Sequence, residues 1–377
     1  MADHKRYVLG LVSLLFAEML VLVGTSYYLE PLVGDMTRLG SYAENDFGWN
    51  DPQQVFVHEA SPLLDSYEQY ADILVVGDSF SFAGLFGMLN FPWQTFLAAE
   101  TGLTIATISH YTHTVPPRYD ATLIPKIVSS DAFQKQPPRI LIMEIVERQL
   151  SILPDVGGEC AGIVQSAKAH DLRFSPTAQP TREAQRKKER PPLAEQTAYA
   201  QKYLLGLLRR DSDETPIVSQ LALTSSKLFS SKRSGVLLVY EGDIKKKNWG
   251  KSELTEIRCK LVKLQNLVQK NGKTFFVAML VPDKLTAYSG YLQDRSDANS
   301  SVIGSLALDQ SLHIPRIDKA IQAEIDAGAI DVYLPNDTHW AYRGHQTAAS
   351  ALNQYLQGFM GTAAALGAPQ QSTLRAR

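Results

Sequence analysis

Compact apolar runs of strand length alternate along this chain with longer stretches whose apolar residues recur at helical spacing. The runs 71–76 (ADILVV), 102–109 (GLTIATIS), 139–146 (RILIMEIV), 273–281 (KTFFVAMLV) and 329–334 (AIDVYL) predict five strands. Between them the spacing predicts a helix after Gly77, a long amphipathic helix over 252–270 stopped by Asn271-Gly272, a helix over 316–326 and a last one over 344–359. Strands alternating with helices predict an α/β fold with a mostly parallel five-stranded sheet. In such sheets ligands gather beyond the carboxyl ends of the strands, which is where the polar motifs of this chain fall.

The pattern differs at the amino end. Lys5 and Arg6 precede an apolar run from Tyr7 to Gly24, and Tyr27 and Tyr28 stand where a bilayer interface would place aromatic residues. A cleaved signal peptide usually has a shorter apolar stretch and a small-residue cleavage site, and no such site is clear here. The favoured reading is therefore an uncleaved transmembrane helix in 1–30, with the basic end inside and the remainder outside. Glu18 within it is either a docking point for another membrane protein or a tolerated polar residue. A lead-in over 31–70 follows, then a domain over 71–360 and a tail over 361–377 read as disordered.

Composition adds boundaries. Of 377 residues, 45% are apolar and 20% charged, enough for a real core, and the net charge of −2 gives no pull toward nucleic acid. Two cysteines, Cys160 and Cys259, exclude a cysteine-based zinc site. They leave open one disulfide in an oxidising compartment or two separate thiols, the second being favoured. The stretch 151–247 interrupts the strand–helix alternation apart from VLLVY at 236–240. Its charged, proline-rich centre reads as a surface insertion, with the basic cluster Arg186–Arg190 either solvated or touching an anionic headgroup or glycan.

The chemistry lies in two short motifs. Gly77-Asp78-Ser79-Phe80 directly follows the first strand, so a tight turn delivers Ser79 to the sheet edge where free amides favour an oxyanion. Asn336-Asp337-Thr338-His339-Trp340 directly follows the last predicted strand. Serine needs an adjacent base, histidine supplies one near neutral pH, and a carboxylate fixes the histidine tautomer. Each motif alone also suits an ordinary turn or helix cap. Together they predict Ser79 as nucleophile, His339 as base and Asp337 as its orienting acid. His110 and His113 in SHYTHT follow the second strand, where substrate contact or plain loop polarity are both open. Further ligands for a metal are not apparent, and neither a metal nor another cofactor is expected.

GDSF after the first strand, and DTHW near the end followed by Gly344 and Ala348-Ala349, resemble the SGNH hydrolase superfamily and its alginate O-acetyltransferase-like (AlgJ/AlgX-like) branch. MEIVERQL (143–150) and VPDKLTAYSGYL (281–292) resemble two further segments of that branch, although the serine motif comes first here. The resemblance implies a three-layer α/β/α fold preceded by a transmembrane helix, in a bacterial inner-membrane protein with its catalytic domain in the periplasm. It implies transfer of acetyl groups through an acyl-serine to an exported or surface polysaccharide, beside a multipass membrane-bound O-acyltransferase as donor partner. The Ser79 amide and Arg148 are the expected oxyanion support, Arg148 having a salt bridge to Glu147 or Glu144 as its plainer reading. Trp340, Tyr288, Tyr291, Lys284 and His113 are the candidate substrate contacts. Trp340 could equally pack against the histidine loop, and Lys284 could cap one. A carbohydrate acetylesterase using the same triad, and a non-catalytic scaffold of an export complex, are the alternatives.

Overall fold

The structure, a computed structural model, describes residues 2–30, 32–58, 60–82, 93–111, 119–160, 162, 174–185, 192–208, 217–298 and 301–366. Four of the five predicted strands form at the expected places: β3 (Ile73–Gly77), β4 (Ile105–Ser109), β5 (Ile140–Val146) and β9 (Phe275–Val281). With the short edge strand β2 (Leu63–Leu64) they make one parallel sheet in the order β2-β4-β3-β5-β9. The chain leaves β3 for β4 on one side and then crosses to β5 on the other, so the carboxyl end of β3 is a topological switch point.

Alternation within the strands sends residues to two cores. Ile73 and Val75 point to one, covered by helices Trp93–Thr101, Ile317–Asp326 and Tyr342–Leu366. Leu74 and Val76 point to the other, covered by Leu123–Ser129, Asp131–Lys135 and Lys251–Gln269. Both faces of β3, β5 and β9 are buried, as helix-covered parallel strands require. The result is a three-layer α/β/α domain.

The structure corrects the fifth strand. Residues 329–334 do not join the sheet, because Asp331 takes a left-handed conformation (φ 52°) that ends an extended run. Asp331 instead accepts hydrogen bonds from the Ser230 amide and hydroxyl. The following residues turn back on themselves through an antiparallel Tyr333–Trp340 bridge. The fifth sheet strand comes from the lead-in segment, where β2 is two residues long and partly exposed, too short to carry a pattern.

The stretch 151–247 is not confined to the surface. In it β6 (Thr181–Ala184) pairs with β1 (Gln53–Phe56), and β7 (Val218–Ala222) pairs with β8 (Val236–Tyr240), both antiparallel. Leu237, Leu238 and Val239 of β8 are fully buried, as is Asp243 just beyond. Cys160 and Cys259 form a disulfide with Cα atoms 4.8 Å apart, correcting the favoured reading of two separate thiols. Sequence separation hid the pair, which the fold of helix Lys251–Gln269 brings together. The cluster Arg186–Arg190 lies outside the described residues.

Helix α1 (Ala2–Leu29) has the length and apolar composition of a membrane span, a test that a signal sequence also passes. Its end packs on helix Leu193–Leu208, where Leu22 and Leu29 meet Ala200 and Tyr203. The last helix starts at Tyr342 and runs to Leu366, so the expected tail from 361 begins as helix. Residues 367–377 lie outside the described residues.

Candidate active site

Ser79 stands at the switch point, half-buried, at the head of a 3-10 turn (Ser79–Ser81) that replaces the start of the predicted helix. The turn is held from below by two buried carboxyls. Asp78 accepts from the amides of Phe80 (2.9 Å) and Val146 (2.8 Å), tying the turn to the end of β5. Glu144 accepts from the Asp78 amide (3.0 Å) and the Ser81 hydroxyl (2.7 Å). Burial, reinforced by the nearby Asp78, pushes the Glu144 carboxyl well above its usual range. A Cβ on Gly77 would press on the Ser81 side chain and come within 2.8 Å of Glu144 Oε2, which is why glycine ends the strand. Phe80, fully buried, fills the space between the turn and the rings of His339 (4.8 Å between centroids) and Trp340 (5.0 Å).

The candidate base arrives from the other end of the chain. His339 Nε2 lies 2.7 Å from Ser79 Oγ, and His339 Nδ1 lies 2.5 Å from Asp337 Oδ1. Asp337 Oδ1 also accepts from the His339 amide at 3.0 Å, which fixes the two side chains relative to one backbone turn. No sheet strand carries this loop. Lys284, fully buried, donates to the carbonyls of Leu334 (2.7 Å), Pro335 (3.0 Å) and Asp337 (2.9 Å). From the opposite side the segment after α1 closes over it. Met36 and Thr37 amides donate to the Asn336 carbonyl, and Glu44 accepts from Asn336 Nδ2 at 2.8 Å. Asp35 accepts from the Thr338 amide (2.8 Å) and hydroxyl (2.5 Å), while its own amide donates to Asp337 Oδ2 (2.9 Å).

Charge in this cluster is finely set by geometry. Burial alone would raise the Asp337 pKa, but the charge and hydrogen bond of His339 win and hold it down to about 2. Burial opposes a charged His339, and Asp337 and Asp35 outweigh it, raising its pKa above 6.5. Burial and the repulsion of Asp337 raise that of Asp35. Asp35, Asp337 and His339 offer ligand atoms within 4.8 Å of one another, a spacing open to a cation. In this arrangement the chain itself supplies their partners: His339 Nδ1 faces Asp337, and the Asp35 oxygens face Thr338.

The sequence-predicted residues divide clearly. Ser79, Asp337 and His339 come together, from positions far apart in the chain. Arg148 lies beside them, 10% exposed, but its partner is Asp243 Oδ1 at 3.2 Å rather than Glu147 or Glu144, and it stacks over the Tyr240 ring. Three candidate substrate contacts are interior residues, a correction for Tyr288 and, for Trp340 and Lys284, the packing and capping alternatives that the sequence left open. Lys284 holds the base loop, Tyr288 is fully buried with its hydroxyl 3.3 Å from the Tyr333 amide, and Trp340 is buried against Phe80 and His345. Tyr291 is partly exposed and donates to Asp326 at 2.8 Å. His113 lies outside the described residues, and His110 is buried and stacked on Tyr119.

Sequence reasoning missed Asp35, Glu44 and the pair Asp243 and Lys246. Lys246 donates to Glu147 (2.6 Å), Asp283 (2.5 Å) and Thr286 (2.5 Å), locking the turn after β5 to the one after β9. Two of these lie in a segment read as lead-in and two in one read as surface insertion, with no local motif to mark them.

Residues 237–375 match the family described as SGNH hydrolase-like domain, acetyltransferase AlgX. The match starts within β8, takes in β9 and the Asp337–His339 loop, and does not reach Ser79. No curated protein and no solved structure gives a significant match.

Proposed function

We propose that this chain is an O-acetyltransferase that moves an acetyl group through an acyl-Ser79 intermediate onto hydroxyls of an exported or cell-surface polysaccharide. The observation that carries the reading is the continuous line from Asp337 Oδ1 through His339 to Ser79 Oγ, at 2.5 and 2.7 Å. The AlgX-family match adds acetyl transfer as the class of chemistry. In the first half-reaction His339 Nε2 takes the Ser79 proton as Oγ attacks the acetyl carbonyl. The donor's leaving group then departs with that proton, leaving the acetyl ester on Ser79. In the second half a sugar hydroxyl gives its proton to His339 and attacks the ester, and Ser79 recovers the proton as it leaves. Asp337 orients the ring and balances the imidazolium in both halves.

The Ser79 amide, at the head of its turn, and the positive field of Arg148 support the oxyanion. With α1 as an uncleaved anchor, the domain works on the periplasmic side of a bacterial inner membrane. A multipass membrane-bound O-acyltransferase would deliver the acetyl group there.

The test compares the purified full chain with Ser79→Ala on a chromogenic acetyl ester, with and without oligosaccharide acceptors. Mass spectrometry follows both protein and sugar. Turnover in the wild type should fall about 10³-fold or more in the variant, with acetyl appearing on the sugar. Ser79-dependent acetate release that leaves every sugar bare replaces transfer by ester hydrolysis. Absence of turnover and of acyl-Ser79 in the wild type rejects catalysis and leaves a scaffold.

A further inference from the structure

We propose that Asp35, in the segment immediately after α1, is a positioning residue for the base loop, so that the juxtamembrane chain completes the active site. The inference rests on the catalytic reading of Ser79 and His339. Its geometry is specific. Both Asp35 carboxylate oxygens are committed to Thr338, the residue between Asp337 and His339, and the Asp35 amide holds the Asp337 oxygen that His339 does not use. Asp35 Oδ2 lies 3.8 Å from His339 Nδ1, a second negative neighbour behind the ring.

The segment that carries Asp35 is itself fastened. Glu44 Oε1 accepts from the amides of Val33 (2.9 Å) and Gly34 (3.0 Å) as well as from Asn336. Gly34 sits so close to the Asn336 carbonyl that a Cβ would overlap it. Backbone contact of this kind fixes register, and Asp35 is then the side chain through which register reaches the histidine. The charged and titratable groups around it are Asp337 and His339 in the loop, Lys284 beneath the loop and Arg148 after β5. Removing one negative charge from this set weakens the imidazolium and loosens Thr338 at the same time.

The experiment uses the full chain in detergent, with Asp35→Asn, Thr338→Val and the double variant, and reads two quantities. With the acetyl ester, Asp35→Asn should lower kcat/KM by roughly 10- to 100-fold, mainly in kcat, as loss of an orienting hydrogen bond behind a reactive group does. The acidic limb of its pH profile should move to lower pH. Independently of turnover, NMR of histidine-labelled protein should show the His339 pKa lower in Asp35→Asn than in the wild type. Thr338→Val should lose less activity, and the double variant should be no worse than Asp35→Asn, because both remove one connection. If Asp35→Asn does not fold, Thr338→Val carries the test through kcat. The proposal is overturned by a folded Asp35→Asn with kcat/KM within about twofold of wild type and an unmoved His339 titration, or by additive losses in the double variant. Wild-type protein without Ser79-dependent turnover rejects the catalytic reading instead, while the His339 titration still decides whether Asp35 acts on the ring.

Discussion

The two halves of the candidate active site are built in opposite ways. Ser79 is placed by the sheet: its turn continues β3 directly, and the groups that brace it, Asp78 and Glu144, sit on or beside neighbouring strands. His339 is placed largely by buried polar tethers, on a loop outside the sheet that Lys284 holds from within and the side chains of Asp35 and Glu44, with the amides of Asp35, Met36 and Thr37, hold from the amino-terminal segment. A strand end needs little beyond its own ladder to be rigid. A loop with only the single Tyr333–Trp340 bridge must have its remaining carbonyls and amides satisfied by buried polar groups, and each such tether is a point of failure. The His339 side should therefore be more sensitive to single polar substitutions than the Ser79 side.

Lys284→Met attacks that side most directly. It keeps the apolar stem but leaves the carbonyls of Leu334, Pro335 and Asp337 without their shared donor. We expect a loss of about 2 kcal/mol or more in chemical denaturation, since the Leu334 carbonyl keeps the Asp337 amide while those of Pro335 and Asp337 lose this donor, and each buried unsatisfied group costs on the order of 1 kcal/mol or more. Ester turnover should fall at least about tenfold in whatever remains folded. A variant as stable and active as the wild type would show that the loop is held otherwise.

The pH dependence separates the two halves by a smaller amount. His339 has a raised pKa, so the free base appears only above the ordinary 6.5, and kcat/KM should climb with pH through a midpoint on the alkaline side of that value. Stability runs the other way. The gain from the charged His339 is fully present below 6.5 and is lost as pH rises through its folded pKa. The gain from Asp337 is present above 3.8 and is lost as pH falls toward about 2. The pair thus stabilises most between these limits, below the pH at which the proposed activity should be highest. An acidic limb centred below 6.5 would contradict the assigned environment of the ring.

Glu144→Gln should have the smallest effect. Burial shifts Glu144 toward its neutral form, and an amide oxygen can still accept from the Asp78 amide and the Ser81 hydroxyl. Stability near neutral pH should change by less than about 1 kcal/mol, and turnover by less than about threefold. A large loss in thermal unfolding would mean that the nucleophile side depends on this carboxyl as such.

What the sequence determined by itself is what short-range pattern can encode. The runs at 71–76, 102–109, 139–146 and 273–281 are largely apolar on both faces, and that burial requirement makes them helix-covered parallel strands, although only the fold decided that the last of them stands at a sheet edge. Gly77-Asp78-Ser79 after the first of them, and Asp337-Thr338-His339 near the end, carry their local geometry in their spacing. Only the tertiary structure decided which groups surround them. Lys284, Tyr288 and Trp340 have the chemistry of substrate contacts, yet packing buries all three. Asp35 lies in an unpatterned lead-in, and Cys160 pairs with a helical residue at a sequence separation of 99. The physical reason is common to all of them. A tether between distant segments leaves no periodicity in either one, because its partner is chosen by the fold and not by the neighbours in the chain.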